Sequence, residues 1–165
     1  MNVPRDQRAH TRLMLSYRDA EQAEEFFLAA WRAYESIDEV IARGLMIAGI
    51  VAYGRPFSGN EDHPTATPTP PFSRRALTGQ ELAAHDRLLE LRNKAVAHSD
   101  MEYNQVESAA FADNGFVFSA AQYDPLREAN RLPEFALVAR LAKDQFAHGA
   151  FRESRNVAAR FRPAG

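Results

Sequence analysis

The fold is decided by Thr78–Asp100, TGQELAAHDRLLELRNKAVAHSD. Thr78 and Glu81 stand three residues apart, the spacing of a capping box, in which a side-chain oxygen and a carboxylate each satisfy an orphan N–H of a helix start. Beyond them Leu82, Ala84, His85, Leu88, Leu89, Leu91, Ala95 and Val96 recur every three or four residues, with Asp86, Arg87, Glu90 and Lys94 on the opposite side. That is the period of an amphipathic helix, and it predicts one helix to about His98. Arg92 breaks the pattern, because it stands in the middle of the apolar arc. His85 lies two turns before it, almost in line. His98 lies at the arc's edge, about 9 Å further along the axis at 1.5 Å per residue.

Three further helices are predicted around this one. Ala20, Ala23, Phe27, Ala30, Trp31 and Tyr34 carry a first helix over about Tyr17–Tyr34, with Asp19, Glu21, Glu24 and Glu25 in its early turns, where the dipole favours acids. Ser36 and Glu39 repeat the capping-box spacing and open a second helix, which runs to about Tyr53 and is stopped by Gly54, Arg55 and Pro56. Pro133 is suited to begin the last helix, since its missing N–H costs nothing there. Phe135, Val138, Ala142 and Phe146 then form a stripe to about Phe151. Residues 55–77 hold five of the nine prolines and are expected to be a loop. Asn114-Gly115 between Phe- and Val-rich flanks is a hairpin signal at about 109–124. The expected fold is all-α in the main: a four- to five-helix up-and-down bundle with a small β-hairpin insertion before the last helix. It forms one domain over 1–165, with residues 1–15 and 156–165 as flexible tails.

Composition narrows the classes. The chain has 165 residues, 45% hydrophobic and 25% charged, which suits one globular core. Without cysteine it must hold by packing alone, as in a reducing cytoplasm. The charged N-terminus lacks the apolar core of a secretory signal. The longest apolar stretch, Gly44–Gly54, falls short of the roughly 20 residues that span a bilayer, so it reads as a buried helix and no membrane is expected. The net charge of −2 is split unevenly. Residues 1–18 hold four arginines and one aspartate, residues 148–165 four arginines and one glutamate, so each end is +3 and the stretch between is −8. Basic ends of this kind either stay solvated or touch a polyanion. No phosphate loop, serine elbow or dinucleotide fingerprint occurs, and no cofactor is implied. His98-Ser99-Asp100 lacks the second ligand motif of a metal site and reads as a turn cap.

An arginine on a core-facing line needs a reason, because its charge is permanent and costly to bury. Three readings are open. Arg92 pairs with a carboxylate of another helix, such as Glu35 or Asp38. It snorkels to the bundle edge. Or it lines a cleft in which it meets an anion while His98 moves protons. Arg55, after the second helix, is either a surface charge or part of such an anion site.

Arg92-Asn93-Lys94-Ala95-Val96-Ala97-His98 resembles the signature of the HEPN superfamily: an arginine, a polar residue, then a histidine after four to six positions. The flanks HDRLLELRNKAVAHSD and AYGRPFS (Ala52–Ser58) are similar to a group of bacterial HEPN-like proteins. The resemblance implies a helical bundle that dimerises and, in many members, cuts RNA without a metal, often as a toxin or defence protein. It makes Arg92 and His98 catalytic with Asn93 assisting, and His85, Arg55, Lys94 and Ser99 candidate substrate contacts. The implied partners are RNA or a nucleotide, a second copy through the third-helix face, and an antitoxin or other protein. Other members are non-catalytic and hold a nucleotide, RNA or protein on the same face.

Overall fold

A computed structural model describes residues 5–58, 70–96, 105–110, 116–121 and 123–160. Four long helices form the body: α1 (Arg5–Glu35), α2 (Glu39–Gly54), α3 (Gly79–Glu90) and α4 (Leu132–Arg160). The fold class is all-α. α1 begins well before Tyr17, and α4 runs past Phe151 to Arg160, so most of the first expected tail and half of the second are helix.

The reason is a heptad seam. Leu13, Ser16, Ala20, Ala23, Phe27 and Ala30 are buried in α1 at alternating spacings of three and four, and Leu132, Phe135, Ala139, Ala142 and Phe146 repeat the pattern in α4. The two helices run antiparallel. Leu13 packs against Gly149 at one end, and Phe27 meets Phe135 with ring centroids 5.7 Å apart toward the other. Each large buried side chain here contributes about 1.5–3 kcal/mol. Glu24 crosses the seam to Arg140 Nε at 2.7 Å and Lys143 Nζ at 2.5 Å. Burial alone would raise the Glu24 pKa; the hydrogen bonds from Lys143 and Arg140 outweigh it and hold the carboxyl below its ordinary range.

α2 returns antiparallel along α1. The turn between them is a Schellman motif: Asp38 N–H donates to Ala33 C=O at 2.9 Å and Ile37 N–H to Tyr34 C=O at 3.0 Å. This puts Ile37 at φ 62°, a left-handed conformation that suits glycine. Asp38, not Ser36, caps α2, accepting from Ile41 N–H at 3.2 Å, while Ser36 Oγ donates back to Arg32 C=O. Gly49 lets α2 approach α1, since a Cβ there would lie 2.5 Å from Phe27 Cε1. By length and hydropathy Glu39–Phe57 would pass for a membrane span, yet Ala42, Met46, Gly49, Ile50, Ala52 and Tyr53 are buried within this fold.

The Pro-rich connection is regular at both ends, with 3-10 turns at Arg55–Phe57 and Arg74–Ala76; residues 59–69 lie outside the described residues. Thr78 and Glu81 form the expected capping box of α3. Strands β1 (Gln105–Ala110) and β2 (Phe116–Ala121) pair antiparallel between α3 and α4. Their register sets Ala110 opposite Phe116, so five residues connect them rather than a two-residue Asn-Gly turn. A 3-10 stretch, Pro125–Arg131, capped by Asp124, leads into α4.

Candidate functional site

The motif does not continue α3 as an α-helix. From Leu91 to Val96, LRNKAV, the backbone widens into a π-helical turn. Such turns are rare, and they recur at functional sites because the extra residue re-aims the side chains that follow. The expected straight wheel therefore ends at Glu90. Within α3 the buried face is Ala84, His85 and Leu88, continued by Leu91, while Leu82 and Leu89 are only partly buried. This face is narrower than the apolar arc of the sequence, and Arg92 follows it half-buried where the π turn begins. Arg92 thus stands at its margin rather than in its middle. Ala84, His85, Leu88 and Leu91 are thus taken up by the chain's own core, whereas Leu82 and Leu89 stay partly exposed and the side chains of residues 94–96 lie outside the described residues.

Arg92 lays its stem over the end of α2. A Cβ on Gly54 would lie 2.6 Å from Arg92 Cγ, so the glycine makes the groove in which the arm rests. The arm is half-buried, and its Nη1 donates to Asn93 Oδ1 at 2.8 Å near the surface. Among the described residues no carboxylate lies within ion-pair distance of Arg92. Glu35 and Asp38, the partners considered from sequence, sit at the far end of α2, where Asp38 is occupied as its cap. The arrangement is that of snorkelling, with the positive charge unmatched among the described residues. The side chain of Lys94, and His98 and Ser99 altogether, lie outside the described residues.

His85 is elsewhere. It is 2% exposed, and its Nδ1 lies 2.7 Å from Tyr53 Oη. Tyr53 is held protonated, its pKa driven far up by burial, so its hydroxyl donates and Nδ1 accepts. Burial also lowers the His85 pKa, with Arg74 adding to the shift and Asp86 opposing it. Phe57 and Phe72, from the two ends of the Pro-rich connection, each pack on the imidazole with centroids 5.0 Å away and on each other at 5.1 Å. Phe146 closes the cluster from α4. His85 is therefore a neutral core histidine that ties both ends of that connection together. This corrects its assignment as a substrate contact.

Arg55 is exposed and pairs with Asp19 of α1 at 3.2 Å. It neighbours Gly54 in the chain, but its charge is engaged on α1. Sequence reading missed Arg12. Its Nη2 donates to the carbonyls of Arg55 and Pro56, both at 3.4 Å, and its Nε is buried with no partner. Only the four-arginine count of residues 1–18 pointed to it. Two grooves are open elsewhere: one of 580 Å³ lined by Pro71, Phe72, Ser73, Gln145, His148, Gly149 and Arg152, and one of 280 Å³ between His10, Met14 and Tyr17 of α1 and Ala147, Ala150, Phe151 and Ser154 of α4. Neither is lined by Arg92 or Asn93. Among the described residues no group of three His, Asp or Glu side chains is placed to hold a metal. Compared with known proteins, the chain matches no family model, no curated protein and no solved structure.

Proposed function

We propose that this chain is a HEPN-like, metal-independent endoribonuclease whose centre is Arg92, Asn93 and His98. The observation that carries the reading is the state of Arg92: a guanidinium at a π-helical turn, set over Gly54, steadied by an amide oxygen and unmatched by any described carboxylate. Such a cation is free to bind a phosphate through its fork.

The reaction needs three things. A base removes the 2′-hydroxyl proton as O2′ bonds to phosphorus, a cation stabilises the phosphorane, and an acid protonates the 5′-oxygen as its bond to phosphorus breaks. The products are a 2′,3′-cyclic phosphate and a 5′-hydroxyl. Histidine serves as acid or base near neutral pH, and arginine supplies the charge. One histidine cannot do both jobs at once, so a second copy supplies the other. That copy docks through the third-helix face, at its Arg92–Asn93 end. An antitoxin or other protein would cover the same end.

The test is incubation of purified protein with single-stranded RNA in excess chelator. The expected result is cleavage leaving cyclic-phosphate ends, lost in His98→Ala and Arg92→Ala while circular dichroism is unchanged. RNA left intact at high protein concentration, or full activity in His98→Ala, would falsify the reading; intact RNA with retained binding would favour a non-catalytic binding module.

A further inference from the structure

The positive charge that the sequence divides between its two ends is gathered by the fold at one end of the molecule. Since Leu13 meets Gly149 and the helices run antiparallel, the first turns of α1 lie beside the last turns of α4. At 1.5 Å per residue Arg8 lies about 7–8 Å beyond that contact along α1, and Arg155 about 9 Å beyond it in the same direction along α4. Arg12 and Arg152 flank the contact itself. Residues 5–18 carry a net +3 and residues 148–160 a net +2, in a chain whose total is −2.

These charges are also left available. Arg8, Arg152 and Arg155 are exposed. Among the described residues none of them, nor Arg12 or Arg92, has a carboxylate within ion-pair distance. By contrast Arg43, Arg74, Arg87, Arg131 and Arg140 each meet one. Glu153, the one acid within residues 148–160, accepts a hydrogen bond from Asn156 instead. Arg12 links this end to the candidate site, because the carbonyls it holds follow directly on the glycine under Arg92. Phe151, 69% exposed and one helical turn before Arg155 on the same side of α4, adds an aromatic face.

We propose that this end, through Arg8, Arg12, Arg152 and Arg155, binds the phosphodiester backbone of single-stranded RNA and leads it to Arg92. The identity of the polyanion rests on the ribonuclease reading. Forked guanidiniums fit phosphates in a way that ammonium groups do not, and the chain holds 18 arginines against two lysines. An exposed ring within a basic patch is what an unpaired base stacks on, so a single strand fits better than a duplex.

The test uses the His98→Ala protein, so that RNA stays whole, with and without the added changes Arg8→Gln, Arg152→Gln and Arg155→Gln. Fluorescence anisotropy of a labelled single-stranded RNA is read across salt concentrations. With about 0.7 in slope per phosphate contact, the triple change should weaken binding about ten-fold or more and flatten log Kd against log salt by about 2. Equal affinity and slope in both proteins would overturn the proposal. So would RNA binding absent from the parent, or preference for phosphatidylserine vesicles over RNA. If RNA is bound in this arginine-dependent way but unmodified protein does not cut it, the ribonuclease reading falls and this surface stands.

Discussion

The α1–α4 seam and the meeting of α2 with the end of α3 are built on opposite terms. Along the seam, small and large apolar side chains interleave and Glu24 has two cationic partners, with Ser16 Oγ the one seam side-chain group buried without a hydrogen-bond partner among the described residues. At the other place the α-helix gives way to a π turn, a histidine is buried among rings, an arginine lies over a glycine, and a second arginine keeps a buried Nε unpaired. Paired charge and regular helix of the first kind hold a bundle together. Unsatisfied charge and irregular backbone cost stability, and they persist where something other than stability keeps them.

Two glycines turn this contrast into a measurement. Gly49→Ala pushes a methyl into the buried Phe27 ring and should cost about 1–3 kcal/mol in urea denaturation, as overpacking does. Gly54→Ala meets the root of the Arg92 side chain, Cγ at 2.6 Å and Cβ at 3.3 Å, so the whole arm must change rotamer; it should cost stability as well, with RNA binding or cleavage reduced in addition. Equal stability losses with no change toward RNA would show that Arg92 is held there for packing.

A smaller effect separates the two regions by pH. The folded pKa of His85 is depressed, so between it and the ordinary value near 6.5 the unfolded chain binds the extra proton. Stability from this group is complete above about 6.5 and lost as pH falls through that window. Glu24, also depressed, contributes above the ordinary carboxylate range near 4.5 and is lost only in stronger acid. Thermal melts from pH 8 to pH 5 should therefore show a decline in the unmodified protein that is absent from Tyr53→Phe/His85→Leu. The same slope in both would remove His85 as its cause.

The smallest expected change lies at the far end of the seam's helix. Ile37→Gly relieves a β-branched residue held at φ 62° and should stabilise by about 1 kcal/mol, less the entropy that glycine adds to the unfolded chain. It leaves the candidate site untouched, so any loss of partner binding in this variant would point to the exposed Ile37, Val40 and Ile41 instead.

Local signals in the sequence determined that the chain is helical, where α3 starts, and that Arg92 is out of place on its helix. Spacing, capping residues and charge are read within a few positions, and nothing remote overrides them. The early start of α1 was hidden because a buried serine, Ser16, stands in an apolar slot while Met14 and Leu15 face outward. Asp38 took the cap from Ser36 because the Schellman turn consumed Ser36 first. Tertiary structure alone decided the rest. His85 became a core residue through rings some thirteen and twenty-eight positions away. Arg92 moved to the margin because α2 supplied a glycine there, and two basic segments at opposite ends of the chain became neighbours because α1 and α4 are antiparallel. Burial and proximity depend on which helix lies against which, and that is set by the sum of many packing contacts rather than by any one stretch of residues.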